Sequence, residues 1–241
     1  MNWRGIKAGL LRQKEIRLPV TLVEDIISRH GAQSWFVYAH TKRRERKHVW
    51  WPSFWLAARL NCSSRILETG CGCGLNLLWF AEHGFTNLYG SDIDANAIAA
   101  GQTIFKQANL KARLWVDDGL NPSAVPAEQF DIILALNWTY HVETFELGRF
   151  FEVYQQHLSH GGYFVIDLID NSYNNIPNNQ YLTSDWGKPE ELRQPTEYKK
   201  RYSQIEVRES ARQHGFRVIR SQMCSKNVTA PRRVYILSFH S

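Results

Sequence analysis

The chain alternates short apolar runs with longer amphipathic stretches, and this alternation predicts its secondary structure. Apolar runs bounded by Gly, Asp or Asn are typical of buried strands, whereas apolar positions three and four residues apart are typical of helices. Predicted strands span residues 65–69, 87–91, 113–116, 130–136 and 162–168, and predicted helices span about 74–83, 95–108 and 143–158. Strands that alternate with helices predict a parallel sheet covered on both faces.

The C-terminal part departs from this alternation. A helix predicted over about 203–214 ends at Gly215, and two strand-like runs follow, over 216–219 and 233–239. They lie close enough in sequence to pair as an antiparallel hairpin. We therefore predict an α/β fold, doubly wound, with a mostly parallel seven-stranded sheet that ends in this hairpin.

The N-terminal part reads as helical. Thr21 and Glu24 have the spacing of a capping box, and Gly31 predicts the end of the helix that follows. We expect a helical N-terminal cap over residues 1–61 and a main domain over 62–241.

Composition narrows the class of protein. A length of 241 residues, 44% hydrophobic and 22% charged, is enough for one α/β domain with a full core. The sequence has no apolar run of about 18 residues, and its N-terminus lacks the apolar core of a signal peptide. Its four cysteines show no metal-ligand spacing. We expect a reduced cytoplasmic protein without a metal site or a membrane span.

Positive charge is concentrated at the N-terminus. The first 65 residues hold 13 Lys and Arg against 4 Asp and Glu, and the densest run, 42–47, is followed at once by the aromatic run 50–55. Basic residues beside exposed aromatics suit a groove for phosphates and stacked bases, a membrane surface or an anionic glycan. The simpler interpretation is a solvated helix face whose neighbouring tryptophans belong to the core.

The stretch from Arg65 to Gly74 reads as a strand that runs into a glycine-rich turn, with Glu68 two residues before Gly70. A dinucleotide site needs its third glycine where Leu75 stands. The pattern acidic-x-Gly-x-Gly-x-Gly resembles the first motif of the class I methyltransferases that use S-adenosylmethionine (SAM) and release S-adenosylhomocysteine. The resemblance implies that Glu68 takes up the methionine end of SAM. It further implies that the turn lies against the same ligand through Gly70, Cys71, Gly72 and Gly74.

The same resemblance assigns acids at the next two strand ends. Asp92 matches the ribose-binding acid of the family, and Ile93 flanks the adenine. Asp118, followed by Gly119, matches the acid that accepts from the adenine amine. The alternative for the second acid is ordinary turn chemistry. Asp94 is better explained as a helix cap.

The fourth strand ends in Asn137, Trp138, Thr139, Tyr140 and His141, where the family places groups near the methyl that is transferred. We take Asn137 as a cofactor contact, Tyr140 and His141 as catalytic candidates, and His141 as the base, because imidazole titrates near neutral pH. A hydrogen-bonded residue at a helix start is the alternative for His141. The amino-methylating signature Asn-Pro-Pro-Tyr lacks both prolines here, which puts N6-adenine and glutamine methylation in doubt.

The segment from Asp170 to about Arg201 is an insertion rich in amides and tyrosines. Such a segment above the carboxyl edge of a sheet is a functional cover or a surface insertion. Asp167 and Asp170, at the end of the preceding strand, are candidate substrate contacts. We predict a SAM-dependent methyltransferase acting on a small polar molecule or glycan. The alternatives are an RNA methyltransferase that uses the basic segment, and a SAM-binding module without transfer activity.

Overall fold

The computed structural model describes residues 18–31, 33–41, 46–224 and 230–240. Its centre is one seven-stranded sheet in the order β3-β2-β1-β4-β5-β7-β6. The strands are β1 Arg65–Thr69, β2 Asn87–Asp92, β3 Arg113–Val116, β4 Phe130–Ala135, β5 Leu158–Ile169, β6 Phe216–Met223 and β7 Arg232–Phe239. Only β7 runs against the others, since it pairs antiparallel with both β5 and β6. The predicted sheet and its terminal hairpin are confirmed.

Helices cover both faces of the sheet. The helices are α1 Val20–His30, α2 Ser34–Thr41, α3 Lys47–Ala57, α4 Leu75–Glu82, α5 Ala95–Gln107, α6 Leu147–Gln155 and α7 Gln204–Gln213. Side chains of α1, α3, α4 and α5 form one core with one face of the sheet, and those of α6 and α7 form a second core with the other face. Neighbouring β4 residues go to opposite cores, Ile132 to the first and Ile133 to the second. This explains why that strand is apolar throughout.

Several predicted boundaries are wrong. The strand predicted over 162–168 spans 158–169, and the strand predicted over 216–219 spans 216–223. The first helix begins at Val20, directly after Pro19, so Thr21 lies inside it and makes no capping box. The fixed backbone angle of proline favours the helix start at that point. The helix predicted over 143–158 spans only 147–155. It ends early because β5 already begins at Leu158, and it is preceded by a separate 3₁₀ turn at Thr139–His141. β5 reaches back this far through a register shift against β4.

The N-terminal helices join the main core. Leu22 and Ile26 of α1 and Leu56 of α3 are buried with the sheet residues of the first core. The aromatic side chains of α3 also pack inward: Phe54 lies 5.2 Å from Trp79 and Trp55 lies 5.4 Å from Tyr163, measured between ring centroids. These contacts support the interpretation of the aromatic run as core, and the boundary at residue 61 stays a prediction.

The insertion is folded onto the domain; we call residues 170–201 the cover segment. It contains three short 3₁₀ turns. Its Tyr173 side chain is fully buried, and the Arg201 guanidinium lies 4.5 Å from the centre of the Tyr173 ring. At its start, Asp170 pairs with Arg233 of β7 at 2.7 Å. In the described part of the chain, no helix is both long and apolar enough to cross a lipid bilayer.

Candidate active site

The glycine-rich turn follows β1 and begins α4. Gly70, Gly72 and Gly74 all have positive φ, a conformation that favours glycine. Their surroundings differ. A Cβ at Gly70 would lie 2.3 Å from Trp138 Cδ1, whereas a Cβ at Gly72 would meet nothing within 4 Å. Only Gly72 therefore faces open space, and the tight approach at Gly70 is to a side chain of the protein.

Asp92, at the end of β2, supports this turn. Its carboxylate accepts from Gly72 N at 2.7 Å and from Asp94 N at 2.9 Å. Burial raises the pKa of Asp92, and these hydrogen bonds oppose the rise. Ile93 is 73% exposed, which is unusual for a large aliphatic side chain. Asp94 caps α5 through Asn96 N and Ala97 N, as predicted.

The two acids after β3 both take part in the following loop. Asp117 is buried and accepts from the backbone of Ser123 and Ala124. Burial alone would raise the pKa of its carboxyl, but these hydrogen bonds outweigh burial and lower the pKa. Asp118 is half-buried and accepts from Leu120 N at 2.8 Å. A Cβ at the next residue, Gly119, would lie 2.7 Å from Thr69 Oγ1 and 2.8 Å from the Trp138 ring.

Trp138 is a residue that the sequence did not single out. Its indole lies between Gly70 and Gly119, across the carboxyl end of β1, and packs edge to face on Phe150. Its Nε1 is buried and has no hydrogen-bond partner among the described residues. An aromatic residue after a strand carries no signal that it will turn back onto a glycine motif 68 positions earlier.

Glu68 connects the turn to the N-terminal cap. It is 4% exposed and accepts from Asn76 Nδ2 of α4 at 3.1 Å. The Ser53 hydroxyl of α3 in turn donates to Asn76 Oδ1 at 2.9 Å. A chain of buried polar groups therefore leads from the predicted methionine-binding acid into helix α3.

A second polar group lies beside this chain; we call His48, Asn137, Tyr140, Asp167 and Arg232 the polar cluster. Asn137 Oδ1 lies 2.9 Å from His48 Nε2, 2.9 Å from Tyr140 Oη and 2.9 Å from Arg232 Nη1. Asn137 N donates to Asp167 Oδ1 at 2.7 Å. The cluster joins α3, the end of β4, β5 and β7. His48 and Arg232 are further residues that sequence analysis missed.

Burial shifts the pKa values of two residues in the polar cluster, His48 and Asp167. Burial lowers the pKa of His48 well below its usual value, and the Arg232 charge lowers it further. Burial raises the pKa of Asp167 to about 6, against the opposing effect of Arg232. Asp167 Oδ2 is buried without a hydrogen-bond partner among the described residues. Clusters of perturbed titratable groups at a strand end are typical of active sites.

His141 contacts the polar cluster only through the Tyr140 ring, at 4.6 Å between ring centroids, and makes no hydrogen bond to the cluster among the described residues. Its side chain is 40% exposed, and Nδ1 lies 2.7 Å from Glu197 of the cover segment. Tyr140 is buried, with its ring 4.5 Å from the Arg232 guanidinium and its hydroxyl on Asn137. Asp170, the first residue of the cover segment, is paired with Arg233.

The cysteines carry no sign of reactivity. All four are free, and burial raises the pKa of both turn thiols, that of Cys73 to about 12. In the described ranges, no three His, Cys, Asp or Glu side chains are placed to hold a metal ion.

Comparison with known proteins identifies the family. A family model described as a methyltransferase domain matches residues 39–224. The chain belongs to this methyltransferase family. Magnesium protoporphyrin IX methyltransferase from Synechocystis PCC 6803, solved with bound SAM, has the same fold, with a TM-score of 0.61 at 14% identity over 100% of this chain and 98% of that one.

Curated relatives match shorter stretches. The ribosomal protein L11 methyltransferase of Neisseria meningitidis serogroup C is 33% identical over 81 residues, which is 34% of this chain and 26% of that protein. The EEF1A lysine methyltransferase 2 of Danio rerio is 34% identical over 82 residues, 33% of this chain and 35% of that protein. The matches thus span about a quarter to a third of these relatives' length.

The chain thus belongs to a methyltransferase family and has the fold of an enzyme solved with bound SAM. The residues at the strand ends fit the cofactor. The open face of Gly72 would leave room for the ligand, the Asp92 carboxylate beside it would accept from the ribose, and the exposed Ile93 would provide an apolar surface. Bound SAM supplies an electrophilic methyl group on a sulfonium centre, and the protein's own part is to hold and orient the reactants.

Proposed function

We propose that this methyltransferase transfers the methyl group to a small polar acceptor held at the polar cluster. The single observation that carries the proposal is the composition of that cluster. It offers neutral donors and acceptors, a guanidinium and a carboxyl group, all at the end of β4 and overlaid by α3 and the cover segment. Polar groups of mixed character placed at a strand end suit small ligands with several hydroxyl or carboxyl groups, including sugars.

The cofactor roles in this proposal follow the sequence prediction. Glu68 and the turn would hold the methionine end, Asp92 the ribose, Ile93 the adenine face, and Asp118 with Gly119 the adenine edge. Asn137 would stand between cofactor and acceptor. A cytoplasmic location remains a prediction.

A nucleic acid acceptor has less support. Residues 42–45 of the basic run lie outside the described residues. Of the remaining two, Arg46 is only 7% exposed, so it is a poor phosphate contact. The aromatic side chains that would stack on bases are partly buried, and Trp51, Phe54 and Trp55 pack against the core.

A protein acceptor is suggested only by the activities for which the curated relatives are named, and their matches cover about a third of this chain. No contact within the described residues favours it over a small molecule.

Isothermal titration with SAM and S-adenosylhomocysteine tests the cofactor part of the proposal. Asp92→Ala and Asp94→Ala are matched variants, since the two acids lie two residues apart and each accepts two hydrogen bonds from backbone N–H groups. Only Asp92 is assigned to the ribose. Asp92→Ala would remove the acceptor of two ribose hydroxyls, and losing two hydrogen bonds to a charged group costs about 3 kcal/mol or more. The affinity for SAM should therefore fall about 100-fold. Asp94→Ala should keep the affinity within about threefold, a difference of less than 1 kcal/mol. Equal losses, or no binding by the unmodified protein, would refute the assignment.

A further inference from the structure

The hydrogen bonds at Asn137 fix the proton on His48. An arginine side chain only donates hydrogen bonds, so the Asn137 atom that lies 2.9 Å from Arg232 Nη1 is the amide oxygen. His48 Nε2 lies 2.9 Å from the same oxygen and must therefore carry its ring proton there. The 3.2 Å between Arg232 Nη1 and His48 Nε2 joins two donors that share one acceptor.

Nδ1 of a neutral His48 consequently carries the lone pair. None of the described residues donates a hydrogen bond to Nδ1. Burial and the nearby Arg232 and Arg46 charges lower the pKa of the ring, so it stays neutral near pH 7. The other titratable groups around it are Tyr140, on the far side of the Asn137 oxygen, and Asp167, bound to Asn137 N.

The same oxygen bears on the kind of acceptor. An amide oxygen has two lone pairs, and Asn137 Oδ1 already has three donors within 2.9 Å. It has no capacity left to accept from the hydrogens of a target amine. A hydroxyl acceptor does not need this oxygen, because it needs a base for its single proton.

We propose that the methyl acceptor is a hydroxyl group and that His48, oriented by Asn137, takes its proton. The inference rests on the proposed function and specifies its chemistry. The acceptor oxygen forms a bond to the methyl carbon while the carbon–sulfur bond breaks, and the bonding pair stays on sulfur as a neutral thioether. The hydroxyl proton goes to His48 Nδ1, and the imidazolium then releases it to water. The exposed His141, paired with Glu197, takes no part.

His48→Gln tests the base, because glutamine keeps an N–H donor for Asn137 but has no basic nitrogen. Transfer from tritiated SAM to a polar-metabolite extract of the source organism should fall about 10²- to 10⁴-fold, the usual contribution of general base catalysis. SAM affinity should be unchanged. His157→Gln is the matched control, since that histidine directly precedes β5 at the opposite edge of the sheet. His141→Gln should lower transfer less than about threefold if it is no base.

The pH profile separates a base from a structural role. In the unmodified enzyme the rate should rise as His48 loses its proton, and this limb should lie well below about pH 6.5, the ordinary imidazole pKa, because burial and the Arg232 charge lower the pKa of this ring. His48→Gln should lose this limb, whereas Asp167→Asn should keep it. A limb that survives in His48→Gln would overturn the assignment.

Two further readouts complete the test. Nitrogen NMR of the unmodified protein should find the Nε2–H tautomer of His48, and the Nδ1–H tautomer would refute the inference without any variant. The labelled product should be a methyl ether. A labelled methylamine would overturn this inference and leave the proposed function intact. The absence of any labelled small molecule, with SAM binding retained, would overturn both, whereas a failure of SAM binding would locate the fault in the cofactor assignment.

Discussion

The contact between Trp138 and the glycine turn makes a sharp prediction about stability. Gly70 and Gly72 have similar positive φ angles, +66° and +56°. Their neighbours differ completely, because the Trp138 indole lies against Gly70 and nothing lies against Gly72. Replacing each with alanine therefore separates backbone strain from side-chain crowding.

The magnitudes follow from these two terms. An alanine in the left-handed region costs about 1–2 kcal/mol, which is the whole expected effect of Gly72→Ala. Gly70→Ala adds the crowding of a methyl group placed 2.3 Å from Trp138 Cδ1. Overpacking of this kind costs about 1–3 kcal/mol, so Gly70→Ala should cost about 2–5 kcal/mol in total.

Urea unfolding followed by far-ultraviolet circular dichroism measures both free energies. A third comparison, Gly70→Ala in a Trp138→Leu background, should cost only the strain of about 1–2 kcal/mol, because the crowding partner is gone. If Gly70→Ala and Gly72→Ala prove equal, or if Trp138→Leu gives no relief, then Trp138 does not lie on the turn and the site as described is wrong.

Two more predictions concern buried carboxylates. Burial raises the pKa of Asp167 to about 6 in the folded protein, above its unfolded value of about 4. The free energy of unfolding should therefore fall as pH rises from about 4 to about 6. Asp167→Asn should remove that slope and raise the free energy of unfolding at pH 7 by up to about 3 kcal/mol. A slope that persists in thermal unfolding of the variant would contradict this. Arg233→Met should cost about 3–5 kcal/mol because it leaves Asp170 buried without its cation, and hydrogen exchange should locate the loss in the cover segment. Uniform exchange across the protein would contradict it.

The local geometry of the turn assigned to the cofactor was predictable from sequence. The turn, Asp92 and the Asp94 cap depend on residues close together in the chain, where glycine spacing and strand ends carry the information. The sheet was predictable for the same reason, since its strands are short apolar runs between clear helix starts and stops.

The acceptor half was not predictable in this way. His48 and Asn137 are 89 positions apart, and Arg232 lies another 95 beyond Asn137, so their meeting depends on how α3 and β7 pack against the end of β4. The sequence favoured His141 as the base, because it follows the end of the fourth strand and imidazole titrates near neutral pH. A local pattern does not reveal that the Thr139–His141 turn directs one side chain into the core and the next outward to Glu197.

A crystal structure of the complex with S-adenosylhomocysteine tests the central claim most directly. The account predicts ribose hydroxyls on Asp92 and the thioether sulfur facing Asn137 and His48, with the acceptor space between α3 and the cover segment. A sulfur atom that faces away from the polar cluster, or a ligand bound away from the glycine turn, would contradict it.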